Sequence, residues 1–170
     1  MQNDELYIKF IQDEDFVNYK KPSMFIGAAR CDFKCCSELH FPIEICQNSE
    51  WAQAPIICTL QSKVIERYLS NPLTESIVFG GLEPLLQINQ VYDFTAKLRN
   101  EYHCNDTVVI YTGYTKDEVL TKFKDYYDKF VELGNIIIKY GRFILDQEPH
   151  YDETLGVNLA SDNQYAELVQ

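Results

Sequence analysis

The sequence predicts an α/β domain built on a mainly parallel sheet, and three observations carry that expectation. Short β-branched apolar runs recur at 76–79, 107–111 and 135–140; stretches with helical apolar spacing lie between them; glycine-containing turns follow the runs. Strands alternating with helices of this length imply right-handed βαβ crossovers, which leave successive strands parallel.

In chain order, 6–11 and 23–28 read as two early strands joined by the polar stretch 12–21, with Tyr19-Lys20-Lys21-Pro22 marking the turn. Residues 29–51 show no sustained period and hold four of the six cysteines, so this segment is expected to be a long functional loop. Thr59 is expected to cap a helix whose apolar face carries Leu60, Val64, Ile65, Tyr68 and Leu69, ending near Asn71-Pro72. After the buried strand at 76–79, Asn89 is expected to cap a helix with Val91, Phe94, Leu98 and Tyr102 inward. Thr115-Lys116-Asp117-Glu118 has the capping-box form and starts a helix through Phe123 toward Val131, stopped at Gly134. From Asp146 onward the tail reads as acidic and irregular. The chain, 1–170, is expected to be one domain, with a cluster-binding loop at about 29–51 and a tail at about 146–170.

Composition narrows the function. Fifteen Lys and Arg against 26 Asp and Glu give a formal charge of −11, so the average surface repels phosphate backbones and anionic lipid. Neither nucleic acid nor a membrane is an expected partner. The start, Met1-Gln2-Asn3-Asp4-Glu5, lacks the basic-then-apolar pattern of a secretory signal, and the expected location is cytoplasmic. In that reducing compartment, unevenly spaced cysteines are metal ligands or buried thiols rather than a disulfide framework.

Open α/β sheets bind ligands at the carboxyl ends of their strands. The cysteine loop after Ala28, the Gly80 turn after Phe79, the Tyr111 turn after Ile110 and Gly141 after Tyr140 all fall there. Cys31, Cys35 and Cys46, followed by Gly80-Gly81-Leu82-Glu83-Pro84 and Tyr111-Thr112-Gly113-Tyr114, point to an iron-sulfur site beside a small charged cofactor. Cysteine thiolates hold such clusters, and a set of three leaves one iron of a 4Fe-4S cube without a protein ligand. Spacing alone leaves a Cys3His zinc site with His40 open; the two downstream turns favour iron-sulfur. Gly80 and Gly81 let backbone carbonyls approach an ammonium closely, and Glu83 adds a charge-assisted acceptor. Cys58 and Cys104 have no partners at metal spacing, and Tyr126, Tyr127 and Phe130 are spaced as a packed helix face.

The segments 27–35, 46–48, 77–85, 109–114 and 136–143 resemble the radical S-adenosylmethionine enzymes, and among them the activating protein of anaerobic (class III) ribonucleotide reductase. The Tyr-Thr-Gly-Tyr turn selects that subfamily. The resemblance implies a partial (β/α) barrel in which Cys31, Cys35 and Cys46 ligate a 4Fe-4S cluster whose fourth iron takes S-adenosylmethionine. It implies cofactor contacts at Ile45, against the adenine, at Gly80, Gly81 and Glu83, and at Thr112 and Gly113. Asn163, with Ser161 and Gln164, resembles a polar carboxyl-terminal signature. The implied activity is radical SAM glycyl-radical activation, with the anaerobic ribonucleotide reductase large subunit as partner and flavodoxin or ferredoxin as electron donor. Two features depart from the family pattern. The usual Cys-x3-Cys-x2-Cys would put a third cysteine at position 38, where Glu38 stands, so Cys46 and Cys36 compete for that role. Leu82 separates the glycine pair from Glu83. The alternatives are a small-molecule radical SAM enzyme, for example deazapurine-forming, and a non-catalytic 4Fe-4S electron-transfer module.

Overall fold

The computed structural model describes residues 3–170; Met1 and Gln2, the beginning of the stretch read for a secretory signal, lie outside the described residues. Among the described residues, nine strands and six α-helices follow one another: β1 (Glu5–Asp15), β2 (Ser23–Ala28), α1 (Lys34–Ser37), α2 (Ser49–Gln53), β3 (Ile57–Leu60), α3 (Gln61–Leu69), β4 (Ser76–Gly80), α4 (Ile88–Asn100), β5 (Thr107–Tyr111), α5 (Lys116–Lys122), α6 (Lys124–Leu133), β6 (Ile136–Tyr140), β7 (His150–Asp152), β8 (Val157–Leu159) and β9 (Tyr165–Leu168). Seven strands form one sheet in the order β3-β1-β2-β4-β5-β6-β9, while β7 and β8 pair separately as a small hairpin. The centre, β2-β4-β5-β6, is parallel, as the alternation predicts. The flanks are antiparallel: β1 runs against β2 and β3, and β9 runs against β6. Among the described residues no barrel closes, since β3 and β9 stand at opposite edges.

The central strands read as continuous apolar runs because both faces are covered. On one face Ile77, Phe79, Val108, Ile110, Ile136 and Ile138 pack with Val64, Ile65, Val91, Phe94, Leu98, Val119 and Phe130 from the four helices α3 to α6. On the other, Val78, Val109 and Ile137 meet Phe25, Tyr19 and the hairpin residues Leu155 and Leu159. Fully burying one such side chain stabilises the fold by roughly 1.5–3 kcal/mol.

Several local expectations give way to packing. Thr59 lies inside β3, and the following helix starts after Leu60 without a side-chain cap. Here the edge strand is formed by pairing with β1 from Glu5 to Ile8, a long-range partner that local capping cannot reveal. Asn89 lies inside α4, whose cap position is Gln87 without a side-chain bond, and a 3-10 turn over Pro84–Gln87 runs ahead of it. The capping box at Thr115 forms with both reciprocal bonds, but the helix breaks at Phe123. There the ring turns inward, edge-on to Tyr114 at 5.4 Å. The tail is not irregular: Asp152 accepts amide bonds from Leu155 and Ala166, fixing the hairpin against β9. The long loop also contains α1, a 3-10 turn over Ile43–Ile45 and α2. No helix among the described residues is long and apolar enough to cross a membrane.

Candidate functional site

The carboxyl ends of β2, β4, β5 and β6 meet at one cavity of about 310 Å³. Its wall includes Cys31, Cys35, Cys36 and Cys46 from the loop after β2, Gly81 and Glu83 after β4, Thr112 to Tyr114 after β5, and Lys139 and Arg142 around the end of β6. Of the residues singled out in the sequence, Ile45 also lines it. Gly80 sits one step back in β4, where a Cβ would press on the Phe25 ring at 2.9 Å. Gly81 adopts φ +78, a conformation that L side chains rarely take, and this turns the chain over the cavity. Asn163 stands outside the cavity: its side chain donates to the Arg142 carbonyl and accepts from the Ser161 hydroxyl, whereas Gln164 reaches the wall.

The cysteine loop is anchored from below. Trp51 of α2 lies over Phe10 of β1 with centroids 3.9 Å apart, and Phe10 stacks in turn on Phe25. Buried Lys9 donates to the carbonyls of Ala52 and Ala54, capping the carboxyl end of α2 with a cation. At the amino end, Phe33 takes a left-handed conformation that opens α1 and brings its N–H onto the Cys31 sulfur at 3.3 Å. Asn48 N–H meets the Cys46 sulfur in the same way at 3.4 Å. Hydrogen bonds to sulfur are among the interactions that set cluster potentials.

The four thiols do not share one environment. A side-chain hydrogen bond from Cys35 holds Cys46 down to about 6 and pushes Cys35 well above the usual thiol range. Burial pushes Cys31 up to about 12. Cys36 is only 5% exposed, with its sulfur 3.9 Å from that of Cys35.

Glu83 ties the loops together. Its backbone N–H bonds the Arg30 carbonyl at 2.8 Å; its carboxylate accepts the Thr112 hydroxyl at 2.7 Å, the Gly113 amide at 2.8 Å and the Leu85 amide at 3.1 Å. Burial pushes this carboxyl upward, opposed by those three bonds. Tyr114 donates its hydroxyl to Asp32 at 2.8 Å, joining the β5 turn to the segment between Cys31 and Cys35.

Arg142 closes the rim through two 2.8 Å bonds to Glu118 and an ion pair at 3.1 Å to Glu38. The guanidinium holds the Glu118 carboxyl down to about 2, from an ordinary value of 4.5. Because the folded value is the lower one, the pair contributes stability above about pH 4.5 that is lost as pH falls toward 2. Thermal melts of the wild type from pH 6 to pH 2.5 should fall more steeply than those of Glu118→Gln, which keeps the helix cap. Parallel curves count against the linkage.

Lys139 and Arg142 carry no motif, and sequence reasoning missed both. The signal for Lys139 was available: a lysine inside a run, Ile136–Tyr140, that is otherwise apolar and buried on both faces.

A 4Fe-4S cluster fits this donor set. Four thiols border one cavity, and two of them already accept backbone N–H bonds. The zinc alternative is not assembled: His40 is exposed away from the cavity, and among the described residues no three His, Cys, Asp or Glu side chains gather to hold a single ion. A polynuclear cluster makes no such demand, since each thiolate binds a different iron.

An α/β sheet with a thiol-lined cavity at its carboxyl edge fits an iron-sulfur domain. The family model of the 4Fe-4S single cluster domain matches residues 24–165, and the chain belongs to that family. No curated protein and no solved structure matches it.

Proposed function

We propose that the protein is a radical S-adenosylmethionine enzyme of the glycyl-radical-activating type. Its parallel centre serves as the partial (β/α) barrel of that class, and Cys31, Cys35 and Cys46 hold the cluster. A bound and reduced cluster would supply one electron to the sulfonium, cleaving it to methionine and a 5'-deoxyadenosyl radical able to take a hydrogen atom from a glycine Cα of an anaerobic ribonucleotide reductase. Flavodoxin or ferredoxin supplies the electron.

The convergence of four strand-end loops on one cavity that combines thiols, a φ-positive glycine and a buried carboxylate carries this reading. Gly81 leaves room for backbone carbonyls to approach an ammonium. Glu83 adds negative charge nearby, and Ile45 offers an apolar surface to an adenine. Thr112 and Gly113 are fixed by Glu83 and present their backbone to the remainder of the ligand.

One observation favours a second reading, a small-molecule radical enzyme. Phe143, Leu145, Asn158, Leu159 and Ala160 from the carboxyl-terminal segment add a wall to the cavity, as an enclosed substrate requires.

Anaerobic reconstitution followed by reduction in the presence of S-adenosylmethionine tests the enzyme assignment. The expected product is 5'-deoxyadenosine, with more formed when the reductase is added. A cluster that assembles and reduces without any cleavage product, with or without the reductase, makes the protein an electron-transfer module instead.

A further inference from the structure

Lys139 is a buried cation without a counter-ion. It is 6% exposed at the end of β6, on the face of the sheet opposite helices α3 to α6, and it lines the cavity. Its ammonium group donates one hydrogen bond, to the Gly141 carbonyl at 3.0 Å, and lies 5.6 Å from the centre of the Tyr111 ring. An ammonium has three donors. Among the described residues no carboxylate forms an ion pair with it: Glu83 is the nearby acid, and its oxygens are taken by Thr112, Gly113 and Leu85. Gln164 shares the Gly141 carbonyl through its amide N–H, and its amide oxygen is spent on the Ala160 and Ser161 N–H groups.

Burying a charge is costly unless an opposite charge and hydrogen bonds compensate it. Burial pulls Lys139 down to about 8, with Glu83 and Cys35 opposing, so the cation persists at neutral pH. A methionine would fill the same volume without that cost. The free donors therefore call for an anion in the cavity.

We propose that Lys139 is the anchor of an oxyanion subsite that takes a carboxylate group of a small ligand in this cavity, on the face of the sheet opposite helices α3 to α6. Two sources supply such a group: the methionyl end of S-adenosylmethionine, or a separate small carboxylic acid. Only the first rests on the radical-enzyme reading.

The test uses anaerobically reconstituted wild type, Lys139→Met and Lys139→Gln, checked for equal iron content. Calorimetry compares S-adenosylmethionine with its decarboxylated form, and thermal melting compares acetate with acetamide at matched ionic strength. A charge-assisted bond predicts that wild type prefers the carboxylated cofactor by about 10-fold or more, falling to about 2-fold in both variants. That result assigns the subsite to the cofactor. If the variants bind both forms as wild type does, while acetate but not acetamide raises the melting point of wild type alone, the subsite belongs to a separate acid. Should no protein bind S-adenosylmethionine while the acetate difference persists, the radical-enzyme reading fails and the subsite stands. If wild type and variants respond alike in both arms, the subsite proposal is overturned.

Discussion

Cys46→Ala will purify with little bound iron after anaerobic reconstitution, while Cys36→Ala will retain the brown chromophore. Both thiols border the cavity, so proximity does not choose between them. Their surroundings do. The Cys46 sulfur accepts the Asn48 amide and is half-exposed toward the cavity. Cys36 is packed away at 5% exposure in the short helix α1, directly after Cys35. Its sulfur stands 3.9 Å from that of Cys35, on the adjacent residue of the same short helix. Removing an outer-sphere partner typically costs 10–100-fold in metal affinity, and loss of a direct ligand should cost at least about that much. Iron per chain and visible absorbance of the two variants decide the matter. Retention in Cys46→Ala with loss in Cys36→Ala would reassign the third ligand to Cys36.

The residues that built this site were legible where local chemistry fixes the backbone. The β-branched runs of β4, β5 and β6, the Thr115 capping box and the Gly134 stop are visible as local patterns, and all formed. So did the placement of four loops at one sheet edge, because parallel connectivity forces it. What escaped depends on distant partners. β3 exists through pairing with β1, and β9 through pairing with β6, some 25 residues away. The cavity followed the same division. Its cysteines and glycines stand out as residue types, whereas Lys139 and Arg142 matter through burial and partners that only the fold supplies. Asn163 illustrates the converse: the polar signature was visible, but its side chain serves the Arg142 carbonyl and its neighbour Gln164 faces the cavity.

Glu83→Leu should be the most destabilising single change at the site, by about 3–5 kcal/mol in urea unfolding. Two effects oppose each other. Removing a buried carboxylate relieves its desolvation, the burial that pushes this carboxyl upward. It also strands the Thr112 hydroxyl and the Gly113 and Leu85 amides, each at a cost of roughly 1–3 kcal/mol when left unsatisfied. Three orphaned donors outweigh one desolvation, because the native carboxylate already recovers part of that cost through the same bonds. Glu83→Gln separates the contributions. Its amide oxygen can still accept from Thr112 and Leu85, but its NH2 then faces the Gly113 amide, donor against donor. A loss of about 1–3 kcal/mol is therefore expected, smaller than for leucine. Equal losses in the two variants would assign the effect to charge, and no loss in either would show that the turns after β4 and β5 do not depend on this carboxylate. The backbone bond from Glu83 to Arg30 survives both changes, so the cysteine loop keeps that tether. Iron content should accordingly fall less than stability in Glu83→Gln.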